Sequence, residues 1–369
     1  MKTTPSSCPL TILILAAVAQ LGARLQVEAA APPTNYVGKG SVPHIYTVDV
    51  LRGRFHSAPV ARQLRIQYPG AIYHLMNRGD RREPIFRDDA DRKRFLETLS
   101  EACAKTGWQV HAYCLMGNHF HLVVETPQAN LVAGMKWFLG TYTSRFNRRH
   151  KLFGHLFSGR YKSLIVDGSG NGYLRTVCDY VHLNPVRAKL LAPEQKLSGY
   201  VWSSYGEYLR PPGRRAAWLR VDRLLGEMGI PKDSPAGRAE FERVMEARRA
   251  QEAGTEIKQL RRGWCLGDAA FRKELLEQVH QQSSSQHTAQ PRTESAAERA
   301  QRIVREELRR RRWSASELAR RRKGDAEKLE MAQRLRAETT MSLAWIAESL
   351  AMGTAGHVAN QLRRAAHAR

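Results

Sequence analysis

The stretch Trp108-Gln109-Val110-His111-Ala112-Tyr113-Cys114-Leu115-Met116-Gly117-Asn118-His119-Phe120-His121-Leu122-Val123-Val124-Glu125 decides the fold. Two runs of aromatic, aliphatic and β-branched residues flank Gly117-Asn118, a tight-turn dipeptide. The spacing predicts a strand over 108–116 and a paired strand over 119–125. Working outward toward the N-terminus, Gly107 closes a helical pattern over 89–106 whose Phe95, Leu96, Leu99 and Cys103 share one face. Before it, 71–77 alternates as a strand does, after the Pro69-Gly70 turn signal. Toward the C-terminus come a helical pattern over 131–149 and a short strand over 162–166. A helix over 172–190 follows, interrupted at Pro185. Strand, helix, strand, strand, helix, strand, helix is the split βαβ order. The expected fold class is therefore α+β: a ferredoxin-like domain with an antiparallel sheet and helices on one side.

The full chain has 369 residues, with 59 Lys and Arg against 35 Asp and Glu, a formal net charge of +24. That balance argues against an ordinary small-metabolite enzyme and for a polyanionic partner, nucleic acid or an anionic membrane surface. Residues 62–210 carry 22 basic and 12 acidic side chains, and residues 292–369 carry 18 and 10. The excess thus concentrates in two segments joined by a more balanced spacer over 211–291. Five cysteines without C-x-x-C spacing make a disulfide framework or a cysteine zinc site a poor reading and fit a reducing compartment.

The first residues speak for export. Lys2, an apolar run over 10–21 and Ala29-Ala30-Ala31 have the layout of a secretory signal, too short for a membrane span. Residues 32–61 hold four prolines and no periodicity. We expect 1–61 to be an upstream extension without function, and the protein to be cytoplasmic and nucleoid-associated.

His119 and His121 lie two apart on a predicted strand, so both imidazoles face one side and can reach one metal ion. Tyr180 and Asn184 lie four apart on the later helix and share a face. Asn184 precedes Pro185 and so sits at a helix boundary. Two histidines and an amide oxygen suit Mg²⁺ or Mn²⁺ on a phosphate, with zinc also open. By spacing alone, the histidines read sooner as a polar surface pair than as metal ligands, and Tyr180 as a core aromatic.

Several motifs in order resemble the HUH single-tyrosine transposases of bacterial insertion sequences, and most of all the REP-associated tyrosine transposases. They are Arg62-Gln63-Leu64-Arg65-Ile66 before Tyr68-Pro69-Gly70; Met76-Asn77-Arg78-Gly79; Leu115 to Leu122; Gly154 to Ser163; Tyr180 to Ala188; and Trp202-Ser203-Ser204-Tyr205. The resemblance spans about 62–210. It implies His119, His121 and Asn184 as metal ligands and Tyr180 as the nucleophile. The reaction implied is cleavage and rejoining of single-stranded or hairpin DNA through a 5′-phosphotyrosine. Val60, near where such chains begin, fits an alternative start.

For DNA contact, Arg145, Arg148, Arg149, Arg160 and Lys162 are the candidate phosphate partners, with His155 and Tyr161 nearby. Trp137, Phe138, Tyr142, Phe146 and Tyr161 interleave with them, although their spacing places most of them in a core. Residues 299–323 read as one helix with a strongly basic face. Helical patterns over 342–350 and 355–366 then flank Met352-Gly353, the helix-turn-helix layout, making the C-terminal region all-α. Asn360, Gln361, Arg363 and Arg364, with His357, fall on its second helix and are candidate contacts to duplex DNA. Rival readings are an HUH nickase of replication or plasmid transfer, and a non-catalytic regulator built on the C-terminal helices.

Overall fold

The computed structural model describes residues 65–252, 260, 263–284 and 295–367, all within the compact unit Gln63–Arg369. The signal-like run and most of the Gln/Ser-rich stretch 281–290, whose composition reads as a linker, lie outside them. Five strands form one sheet: β1 (Ala71–Arg78), β2 (Gln109–Leu115), β3 (His119–Thr126), β4 (Lys162–Val166) and β5 (Cys265–Leu266), in the order β2-β3-β1-β4-β5. β1 is antiparallel to both β3 and β4, and β2 is antiparallel to β3. The first four strands have the ferredoxin-like order. β5 pairs parallel to β4 and was not foreseen, since two residues show no alternation.

Helices α1 (Asp89–Thr106) and α2 (Leu131–His150) cover one face of the sheet. Asp88 caps α1 by accepting from the Asp91 amide, and Gly107 ends it in the left-handed region at φ +73°. The packing follows from strand alternation. Phe120 points to the helical face and meets Phe95 of α1 at 5.1 Å and Phe138 of α2 at 6.4 Å between ring centroids. His119 and His121 point to the opposite face. That face is covered by α3 (Tyr173–His182), followed at Leu183 by the short α4 (Asn184–Arg187). The expected interruption near Pro185 therefore falls at Leu183, because a proline is tolerated in the first turn of a new helix, where its missing N–H has no partner to lose.

Two further helices, α5 (Tyr205–Tyr208) and α6 (Asp222–Glu227), and the longer α7 (Pro235–Ala250) pack onto this body. Phe241 and Met245 of α7 are fully buried in the same core as Tyr205 and Tyr208. The core thus runs on past residue 210 into the segment read as a spacer.

After α8 (Ala269–Ser284) comes a helical assembly with its own core of Ile303, Trp313, Leu335, Ile346, Leu350 and Val358, among others. Its helices are α9 (Ala296–Arg311), α10 (Ala315–Arg320), α11 (Ala326–Glu338), α12 (Leu343–Ser349) and α13 (Ala355–His367). The single helix expected over 299–323 is two. Arg312 turns left-handed at φ +55°, and Ser314 caps the next helix by accepting from the Glu317 amide. Charge pattern carried no signal of that break, whereas burial of Trp313 requires it. Lys328 is fully buried and its Nζ donates to the Arg321 and Ala351 carbonyls, each at 3.1 Å, tying α11 to the turn before α13. Lys105 of α1 reaches the end of α11, donating to the carbonyls of Arg336 and Ala337. Trp137 lies under both Lys105 and Arg336. Among the described residues no helix is long and apolar enough to cross a membrane.

Candidate active site

In register, Met76 of β1 lies opposite His121 and Arg78 opposite His119. His74, two residues before Met76, therefore shares their face. His74 and His121 are hydrogen-bonded, Nε2 to Nδ1 at 2.9 Å, with rings 15° from parallel. His119 places Nδ1 2.8 Å from the Asn118 side-chain oxygen, so that nitrogen carries the proton and Nε2 keeps its lone pair. Burial pushes His74 and His119 down to about 4, with Arg78 adding to the effect on His119. Burial also holds His121 well below the usual range, followed by its neighbours His74 and His119. All three are neutral at pH 7, the form in which imidazole is a ligand.

Helix α3 brings the fourth group. Leu174, Val177, Cys178 and Val181 are fully buried and fix its rotation. Tyr180 is then held edge-on to His74 and His121, with ring centroids at 5.8 Å from each. One turn on, the Asn184 amide nitrogen donates to the Tyr180 carbonyl at 3.1 Å, which leaves its oxygen as the atom able to serve a cation. Arg187 stacks on the Tyr180 ring at 4.4 Å and donates to the same carbonyl at 2.6 Å. Two parallel bonds of 3.0 Å to Glu252 orient its guanidinium. Asp179, buried beside Tyr180, is paired with Arg248 of α7. Residues beyond 210 thus brace the helix that carries the tyrosine.

His119, His121, Tyr180, Asn184 and Arg187 line a cleft of about 560 Å³, into which Arg78, Arg160 and Lys162 also face. Its charge is positive, as a phosphate site requires. Among the described residues no group of three or more His, Cys, Asp or Glu is placed to hold a metal, so a cation here depends on two imidazoles and a neutral oxygen. The donor set fits one. His119 and His121 have each committed Nδ1 to a neighbour, which leaves Nε2 of each as the nitrogen that would hold an ion, and their rings are neighbours at 5.2 Å between centroids.

The other nominated residues divide. Arg160 and Lys162 line the cleft. Arg145, Arg148 and Arg149 sit on α2, on the opposite side of the sheet from the histidines. There Arg145 pairs with Glu101 and Arg149 with Asp88 and Asp91, while Arg148 is exposed. Trp137, Phe138, Tyr142 and Phe146 are buried core. Tyr161 lies under the Arg65 guanidinium at 3.9 Å. On α13, Asn360, Arg363 and Arg364 are exposed and Gln361 is half-buried. The sequence reading missed His74, Arg187 and Glu252. The only signal for His74 was a lone imidazole in the otherwise apolar run 71–76.

A ferredoxin-like sheet that presents a His-x-His pair to a helix-borne tyrosine is the arrangement of the class that the motifs resemble. Residues 67–184 match the family described as IS200-like transposases, a span that contains His74, His119, His121 and Tyr180 and ends on Asn184. A solved structure of the REP-associated tyrosine transposase bound to a REP hairpin is also similar, at 12% identity and a TM-score of 0.35, covering 43% of this chain and 90% of that one. No curated protein matches.

Proposed function

We propose that the protein is a DNA strand transferase that cleaves and rejoins single-stranded or hairpin DNA through a 5′-phosphotyrosine. The observation that carries this reading is the convergence of Tyr180, His119, His121 and Asn184 on one basic cleft. The Tyr180 oxygen attacks phosphorus, the P–O bond to the 3′ side breaks, and the 3′-hydroxyl leaves with a proton. The phosphotyrosine conserves the bond energy, so a second 3′-hydroxyl reverses the step and joins strands. Arg187 holds the tyrosine ring and faces the cleft, where it supplies positive charge. Arg160 and Lys162 position the backbone phosphates. His74 orients His121 from behind. A Mg²⁺ or Mn²⁺ ion held by His119, His121 and Asn184 would supply Lewis-acid polarisation of the scissile phosphate. The exposed side of α13, with Asn360, Arg363 and Arg364, is the candidate contact to duplex DNA.

The test is a covalent-adduct assay with labelled hairpin oligonucleotides and Mg²⁺ or Mn²⁺. A denaturation-resistant complex is expected, lost in Tyr180→Phe and on chelation. An adduct that survives Tyr180→Phe refutes the assignment.

A further inference from the structure

The aromatics that interleave with the basic residues of α2 are buried, yet one aromatic is placed in the opposite way. Phe153 is 98% exposed, whereas the other exposed large apolar side chains among the described residues range from 37% to 70%. An isolated apolar residue on a surface is ordinary; a whole phenyl ring in water on a fixed turn is not. The turn is held at both ends. Lys151 closes α2 in the left-handed region, and Leu152 donates to the Asn147 carbonyl at 2.8 Å. The Asn147 side chain donates to the Gly154 carbonyl at 3.0 Å, with Gly154 at φ +88°. Further on, Phe157 is buried against Phe120, Asp80 donates to the Leu156 carbonyl, and Ser158 donates to the Arg78 carbonyl at 2.9 Å. The ring is thus pushed outward from a pinned loop instead of dangling from a loose one.

Two features say what covers it. No Asp or Glu occurs between Glu125 and Asp167, while that interval holds seven Lys and Arg. Residues 151–155 are all exposed and include Lys151 and His155. The loop base also joins the cleft: Ser158 lines it, and Arg78, to which Ser158 bonds, lies opposite His119. Five residues from Ser158 span at most about 18 Å of chain. We infer that Phe153 is a stacking platform for an unpaired nucleobase of a strand whose phosphate occupies the cleft. Every base has a π-face, so such a contact holds a single strand without fixing its sequence, and basic neighbours take the backbone. The inference rests on the proposed reading of the cleft as a DNA site.

The test is fluorescence anisotropy of the full chain with a labelled hairpin carrying an unpaired flank and with a blunt duplex, comparing wild type, Phe153→Ala and Phe153→Trp. Because the ring makes no buried contact, Phe153→Ala is expected to keep the wild-type melting temperature. It should lose about ten-fold in affinity for the flanked hairpin and nothing for the duplex. Phe153→Trp should bind the flanked hairpin at least as well as wild type. A 2-aminopurine scan of the flank should show one position quenched by wild type and released in Phe153→Ala. Unchanged hairpin affinity in Phe153→Ala, or equal losses on both DNAs, overturns the inference. If the Tyr180-dependent adduct persists in that case, the proposed function stands; a wild-type chain that binds no single strand overturns both.

Discussion

Replacing His74 tests how far the cleft depends on a residue that faces no solvent. His74 is 2% exposed and its Nε2 lies 2.9 Å from His121 Nδ1; with His74 accepting, His121 carries its proton on Nδ1 and offers Nε2 to a cation. Valine at this position removes the partner and leaves a buried ring nitrogen unsatisfied, a cost of about 1–3 kcal/mol. Loss of the group behind a metal-binding histidine lowers metal affinity by about 10–100-fold, or about 1.4–2.7 kcal/mol. The measurement is calorimetric titration of the full chain with Mn²⁺ for wild type, His74→Val, His74→Gln and His119→Ala, each first checked by thermal melting. His119→Ala should abolish binding. His74→Val should weaken it within the stated range, and His74→Gln, which keeps a polar partner, should recover part of the loss. A folded His74→Val that binds Mn²⁺ as tightly as wild type refutes the reasoning, because His121 would then need no support.

Arg187→Ala should slow adduct formation by about ten-fold or more, read by single-turnover kinetics on the hairpin, and should also lower the melting temperature, since it removes charge at the tyrosine and leaves the largely buried Glu252 carboxylate unpaired. Lys328→Met should destabilise the C-terminal core by about 1–3 kcal/mol, read by denaturant melts, because two carbonyls lose a charged donor. For pH, burial alone would raise Glu125, but hydrogen bonds from His111 and Arg223 outweigh it and hold the carboxyl at about 2. A depressed carboxylate binds fewer protons folded than unfolded, so its contribution is full above about 4.5 and lost as pH falls toward 2. The stability difference between wild type and Glu125→Gln should therefore shrink over that window and stay flat above it.

Local pattern was enough to read the order of elements, the four antiparallel strands and the placing of His119 and His121 on one face. Those features follow from period-two alternation, turn dipeptides and helix caps, all local in the chain. The sequence also carried the motifs behind the resemblance and set Tyr180 and Asn184 four residues apart, although the break at Leu183 puts them on two successive helices and not on one helix face as expected. Long-range packing set which side of the sheet each helix covers. That placed the α2 arginines away from the cleft, while their aromatic neighbours are the core the sequence led us to expect. Only it brought His74 behind His121 and Glu252 onto Arg187, since those contacts join residues 47 and 65 positions apart through packing that no local pattern encodes. The exposure of Phe153 belongs there too. In sequence it is one more aromatic in a basic stretch, and only a turn pinned by Asn147 and by β1 leaves it facing water.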